Sequence, residues 1–275
     1  MPSPEMVWVD NFIIMFFYLF VFILGACIGS FLNVVILRTH SQEKIAKSRS
    51  RCPYCKHDLG INDLIPIFSF VAQQAKCRYC KKKISWQYPV VELITGFLFV
   101  LATYNIIGGL GFEYLFYNSS VWLGWLRDFI FISYLVVIFV YDLRWYLILD
   151  RITIPAMMIA VILNLWLGFT WQTLLVGFLI GLGFFVFQYV VSRGKWIGGG
   201  DLRMGALMGL MLGAKGVVVA LFLSYVIGAI VSLFLVAYSK KKFKSEIPFG
   251  TFLAIGTLIA LLWGNQIITW YFSLF

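Results

Sequence analysis

The chain has 275 residues, of which 61% are hydrophobic, 19% aromatic and only 12% charged. Soluble domains lie nearer half apolar and a quarter charged, so lipid must be the main solvent and an ordinary soluble enzyme is excluded. The net charge of +10 does not mark a nucleic-acid binder, because the basic residues are confined to a few polar links.

In chain order, the first apolar run, Phe12 to Leu37, holds 26 residues without a charge. About 20 suffice to cross a bilayer. It lacks a basic segment before it and a small-residue cleavage site after it, so it is expected to be a retained span. A polar insert follows at 38–88. Further apolar segments are expected at about 89–107, 126–143, 152–168, 171–192, 201–214, 216–238 and 248–272. The fold class predicted is an all-α polytopic membrane protein. It has about eight transmembrane helices and a small cytoplasmic four-cysteine zinc module after the first helix. The domains expected are 1–37, an N-terminal tail and first span; 38–88, the zinc module; and 89–275, the remaining bundle. No internal repeat is evident.

Eleven of the 22 Lys and Arg residues fall between Arg38 and Lys83. Most others occupy the links at 144–151, 193–203 and 240–244, including the cluster Lys240, Lys241, Lys242 and Lys244. Links rich in Lys and Arg stay cytoplasmic, so the N-terminus is expected outside. Arg127 and Lys215 are the two exceptions at the outer face. Arg127 sits beside Asp128, which reads as a pair at headgroup level.

The insert carries Cys52-Pro53-Tyr54-Cys55 and, 21 residues later, Cys77-Arg78-Tyr79-Cys80. Two such C-x-x-C knuckles fit a tetrahedral zinc site with four thiolate ligands. Two disulfides are the alternative, which a reducing cytoplasm disfavours. A four-thiolate shell has no open position, so the zinc is expected to be structural. Cys27, within the first span, reads as a small packing residue.

Twelve acidic residues remain to be placed. Seven lie in polar links, and Asp128 has its arginine. Glu92, Asp142, Asp150 and Asp201 fall at or near the cytoplasmic ends of spans, where ionisable groups are costly and are functional candidates. Asp142 closes the apolar run 136–142, and Asp201 follows Gly198-Gly199-Gly200. Two converging carboxyls share one proton, giving a base to activate water and an acid to polarise a carbonyl. Asp142 and Asp201 are therefore the expected catalytic pair. The alternatives are a helix-end charge paired with Arg144 or Arg151 for Asp142, and helix capping for Asp201. His40 and His57 both lie in the insert and no H-E-x-x-H occurs, which disfavours metalloprotease and serine mechanisms. A transporter or channel whose acids carry ions, regulated by the zinc module, is the competing class. It would need acids at mid-membrane depth. A catalytically dead scaffold is disfavoured by the presence of both aspartates.

Several motifs together carry a family resemblance. They are Gly29 to Arg38 (G-S-F-L-N-V-V-I-L-R), the two cysteine knuckles, Tyr88 to Gly96 (Y-P-V-V-E-L-I-T-G), Asp142 to Pro155 (D-L-R-W-Y-L-I-L-D-R-I-T-I-P) and Gly198 to Asp201 (G-G-G-D). Over most of its length the chain resembles the type IV prepilin peptidases, bifunctional leader peptidases and N-methyltransferases of bacterial inner membranes. The resemblance implies that Asp142 and Asp201 cleave a basic leader from prepilins or pseudopilins, after Gly and often before Phe. It also implies methylation of the new N-terminus by S-adenosylmethionine. No G-x-G-x-x-G occurs, so methylation stands on the resemblance alone; Glu92 and Gly96 are its candidate residues. Glu92 also reads as a boundary carboxylate bonded to Arg or Lys of the insert. Leu149 stands where the family commonly has proline. Gly25-x-x-x-Gly29, Gly177-x-x-x-Gly181 and Gly205-x-x-x-Gly209 should allow close helix contact, and Asn33 should bond a neighbouring helix.

Overall fold

The computed structural model describes residues 4–44, 49–108, 119–239 and 248–274. The lysine cluster at 240–244 and the acids Glu113 and Glu246 lie outside the described residues. The described residues form helices α1 (Pro4–Ser41), α2 (Ile61–Leu64), α3 (Phe68–Ala72), α4 (Gln87–Ile107), α5 (Ser119–Trp145), α6 (Asp150–Trp166), α7 (Trp171–Ser192), α8 (Gly199–Ser239) and α9 (Phe249–Phe272). They contain no β-strand beyond two isolated bridges, in keeping with an all-helical membrane protein.

Every apolar segment expected from the sequence is helical, but eight spans are not what the helices show. Six are long and apolar enough to cross a bilayer. Helix α6 has 17 residues and falls short. The segments 201–214 and 216–238 both fall in α8, which is two helices meeting at Gly213, whose φ of 69° and ψ of −176° are not helical. A positive φ suits glycine, which has no Cβ to clash.

The chain forms two compact units, residues 1–125 and 126–275. In the first, α1 packs on α4. There is no space for a side chain at Gly25 or Gly29: a Cβ would lie 2.8 Å from the Gly96 Cα and 2.9 Å from the Glu92 Cα, respectively. Fully buried Asn33 donates to the Tyr88 carbonyl at 3.2 Å and accepts from the Gln87 side chain at 3.1 Å, so it bonds the neighbouring helix as expected.

In the second unit the other two G-x-x-x-G motifs meet each other. Gly177 lies against the Gly209 carbonyl and Gly181 against that of Gly205, with no room for a Cβ between them. Past Gly213 the chain turns back along α7. Val217 lies beside Gly181, and Tyr225 bonds Gln188 farther along the same helix. The second half of α8 then packs on α9, where Gly256 leaves space for Ser224 and Ala220.

The break at Gly213 strands the last carbonyls of the first half of α8. Asn164, fully buried on α6, supplies donors to two of them, Leu210 at 2.7 Å and Met211 at 3.1 Å. Its own carbonyl oxygen accepts from Arg127 at 3.3 Å, and Arg127 pairs with Asp128 at 2.7 Å. Asp128 is buried. The expected pair of Arg127 with Asp128 is thus present and extends through Asn164 into a buried network, in which the charge of Arg127 is neutralised.

Candidate active site and metal centre

Three helix ends meet around Asp142. It lies four residues into the last stretch of α5, is buried, and its Oδ2 accepts the backbone N–H of Thr251 at 2.8 Å. Thr251 is the third residue of α9, and its hydroxyl donates to the Pro248 carbonyl at 2.6 Å, which fixes the turn entering that helix. Gly250 touches the same carboxyl: a Cβ there would stand 2.9 Å from Asp142 Oδ2 and 2.8 Å from Ile148 Cδ1. The partner of Asp142 is therefore the start of α9 rather than Arg144 or Arg151.

Asp201 is the third residue of α8 and is half-buried. Its Oδ2 accepts the Gly198 N–H at 3.0 Å. This is the return half of a capping box, with the side chain reaching back to the residue before the helix. The capping role occupies one carboxyl oxygen. Asp201 lies near enough for its charge to act on Asp142, 59 positions away in the sequence. Ile148 links their surroundings, because its Cβ would stand 3.0 Å from a Cβ on Gly200 while its Cδ1 lies against Gly250. Leu149 has the extended backbone of a helix N-cap, φ −92° and ψ 134°, so the turn forms without proline there. Asp150 forms an ion pair with Arg203, tying the start of α6 to the first turn of α8.

Sequence reasoning missed Gly250, Thr251 and Tyr225. Tyr225 donates to Gln188 at 2.9 Å, stacks edge-on with Phe249 at 5.1 Å and with Phe184 at 5.5 Å, and experiences the charge of Asp201. The only signal for Gly250 and Thr251 was a small-residue pair just after Pro248, and such pairs occur in many helix starts.

In the insert, the four cysteine sulfurs lie within 4.8 Å of one another, and Cys52 Sγ is 3.8 Å from Cys80 Sγ. Zinc–sulfur bonds of about 2.3 Å in a tetrahedron place sulfurs about 3.8 Å apart, so the four thiols fit such an ion. The two knuckles are copies of each other, a repeat that the sequence reading missed. Cys52 N–H donates to His57 O and Cys77 N–H to Lys82 O, at 3.0 and 2.8 Å; Leu59 N–H donates to Ser50 O and Ile84 N–H to Ala75 O, at 2.8 and 2.7 Å. Lys56 and Lys81 both take φ of 59°. Each knuckle's tyrosine crosses to the other: Tyr54 lies under Lys82 and Tyr79 against His57. Burial opposes ionisation of Cys52, but the N–H groups of Cys55 and Tyr54 outweigh it and bring that thiol down to about 7. The His57 N–H favours the Cys55 thiolate, yet desolvation and the sulfurs of Cys52 and Cys80 push its thiol up to about 11. Crowded thiols that cannot all ionise alone are what a divalent cation relieves.

Two family profiles match in succession. One, described as the bacterial peptidase A24 N-terminal domain, covers residues 23–106; the other, described as the type IV leader peptidase family, covers residues 129–233. A prepilin leader peptidase/N-methyltransferase of Bacillus subtilis (strain 168) is 32% identical over 254 residues, spanning 92% of this chain and 97% of that protein. This chain belongs to the type IV leader peptidase family. Proteins of the same description from Myxococcus xanthus (strain DK1622) and Aeromonas hydrophila are 34% identical over 222 residues and 30% over 288. The matches span 79% and 94% of this chain, and 62% and 95% of those proteins. No solved structure matches the chain.

Of the two residues considered for methylation, Glu92 is buried and accepts the Ile67 N–H at 2.7 Å and the Ser30 hydroxyl. Those are its partners in place of the expected Arg or Lys. A Cβ at Gly96 would stand 2.8 Å from the Phe22 ring and 3.0 Å from its carbonyl. Glu92 thus joins the insert to α1 and α4, and Gly96 is a packing contact of α1 on α4.

Proposed function

We propose that the chain removes the leader peptide from type IV prepilins or pseudopilins at the cytoplasmic face of a bacterial inner membrane, and methylates the new N-terminus. Membership of the family supports the reading, and the convergence of Asp142 and Asp201 carries it. Both acids sit at helix ends, where a substrate with a basic leader in water and an apolar helix in lipid presents its scissile bond. One carboxyl takes a proton from water while the other donates to the scissile carbonyl oxygen. Collapse of the tetrahedral species breaks the C–N bond, the amine leaves protonated, and the pair again shares one proton. The Thr251 N–H holds one Asp142 oxygen in place, which orients the other toward the water.

S-adenosylmethionine would supply an electrophilic methyl group for the freed amine; we assign no residue to it. Zinc would be held by Cys52, Cys55, Cys77 and Cys80, with no coordination position left for water, so its contribution is to fold the insert. The charge distribution supports an N-terminus outside and the insert in the cytoplasm. Incubation of the protein in proteoliposomes with a prepilin and S-adenosylmethionine tests the assignment. Mass spectrometry should show loss of the leader and gain of a methyl group, and Asp201→Asn should abolish cleavage while inserting normally. An intact prepilin with the native protein, or ion flux in its place, refutes the reading.

A further inference from the structure

Helices α2 and α3 of the insert have their polarity reversed. The Asp63 side chain on α2 is only 4% exposed and faces the metal knuckles, paired with Arg78 at 3.1 Å and accepting from Gln73 at 3.2 Å and Tyr79 at 3.3 Å. The apolar side chains point the other way. Ile61 is 86% exposed, Phe68 66% and Val71 68%, with Leu64 and Ile65 also exposed. A module bathed only in water would bury these groups and expose the acid.

The position of α3 explains the reversal. Pro66 and Ile67 form a γ-turn, with the Phe68 N–H donating to the Pro66 carbonyl and Ile67 held at φ 62°. This conformation is unfavourable for a β-branched residue and persists only when its surroundings hold it. Glu92 holds it, through the bond to the Ile67 N–H. Glu92 is the sixth residue of α4. At about 1.5 Å per residue, Glu92 stands about 8 Å along the span from its first residue, so the bond to its carboxylate ties Ile67 to the first turns of α4. Phe70 packs edge-on against Trp86 at 5.0 Å. Trp86, 70% exposed, heads a stripe of exposed apolar residues that continues down α4 through Val90, Ile94 and Phe97. Phe70, the buried residue of α3, thus seats that short helix on the residue that heads the exposed apolar stripe of a membrane-crossing helix.

We propose that the α2–α3 segment is an interfacial membrane anchor, with Ile61, Phe68 and Val71 inserted among the lipid acyl chains beside α4. Apolar faces lying in the interface bury to about 5–10 Å, and a segment tied to the first turns of a membrane-crossing helix lies close to that zone. The partner is the bilayer surface, and anionic headgroups suit an insert that carries eleven Lys and Arg residues between positions 38 and 83. The anchor would hold the metal module against the membrane, independently of the peptidase chemistry.

Photocrosslinking tests it in the full-length protein, in nanodiscs of phosphatidylethanolamine and phosphatidylglycerol. Benzoylphenylalanine replaces Phe68 or Val71, with Phe97 as the lipid-facing reference and exposed Lys83 as the water-facing one. Labelled proteins that keep the native thermal transition are irradiated and their adducts weighed. Lipid adducts at Phe68 and Val71 should match those at Phe97 and exceed those at Lys83 several-fold. Adducts only within the chain, adducts to an added prepilin that displace lipid, or a yield no higher than at Lys83 would each overturn the proposal.

Discussion

The backbone N–H of Thr251 donates to the carboxylate of Asp142 at 2.8 Å, across 109 residues of sequence. The last helix therefore enters the candidate active site through its backbone, and the side chain at 251 faces its own turn at Pro248. Gly250 beside it leaves no gap between the chain and the acid.

Gly250→Ala should consequently be far more damaging than Thr251→Ala. The added methyl would displace Asp142 or Ile148, and misplacing a reacting group by about 1 Å costs about 10²-fold in rate. Thr251→Ala keeps the N–H and should retain most of the activity. Initial rates of prepilin cleavage, with membrane insertion checked for both variants, compare them directly.

Asp142→Asn should match Asp201→Asn in abolishing cleavage, and the double variant should be no worse than either alone, because residues that act as a unit are not additive. Residual turnover that falls stepwise through the series would mean the two acids work separately. Single-turnover assays at high enzyme concentration provide the sensitivity.

Asn164→Leu keeps the branch at Cγ but removes the donors from the carbonyls of Leu210 and Met211 and the acceptor from Arg127. Leaving buried polar groups unmatched costs about 1–3 kcal/mol each. The variant should unfold at lower temperature or lower denaturant concentration in detergent. An unchanged transition would show that the break at Gly213 needs no support from α6.

At the crossing of α7 and α8, Gly181→Val should separate the helices, since even a single Cβ would overlap the Gly205 carbonyl. Overpacking of this kind costs about 1–3 kcal/mol, occasionally more. Gly183→Val on the same helix, where nothing lies within 4 Å, is the matched control. Thermal unfolding should distinguish the two clearly.

Removing metal with a strong chelator, or replacing Cys77 with Ser, should release zinc and make the insert sensitive to trypsin between residues 49 and 88. Metal analysis should find one zinc per native chain and a marked loss in the variant. Native trypsin resistance after complete zinc removal would show that the knuckles hold without it.

Several features were legible because their cause is local. The C-x-x-C spacing sets two sulfurs on one turn, and charge-free runs of sufficient length form helices in lipid. The G-x-x-x-G motifs were correctly read as contact surfaces, but which motif meets which follows from the turn after Ser192, which runs the first half of α8 back along α7. The Arg127–Asp128 pair was legible because the two are adjacent, but its link to Asn164, 37 positions from Arg127, was not. The number of spans was less legible, since one unusual residue within an apolar run does not reveal how the helices on either side are joined.

From the sequence alone came the membrane class, the helical segments, the clustering of four cysteines and the two acids worth pairing, because hydropathy and cysteine spacing act over a few residues. The tertiary structure alone decided that the start of α9 clasps Asp142, that Glu92 secures the insert, and that the knuckles are copies crossing over one another. Those contacts join backbone groups to distant side chains. An N–H is present at nearly every position, and only the fold determines which one faces a buried carboxylate.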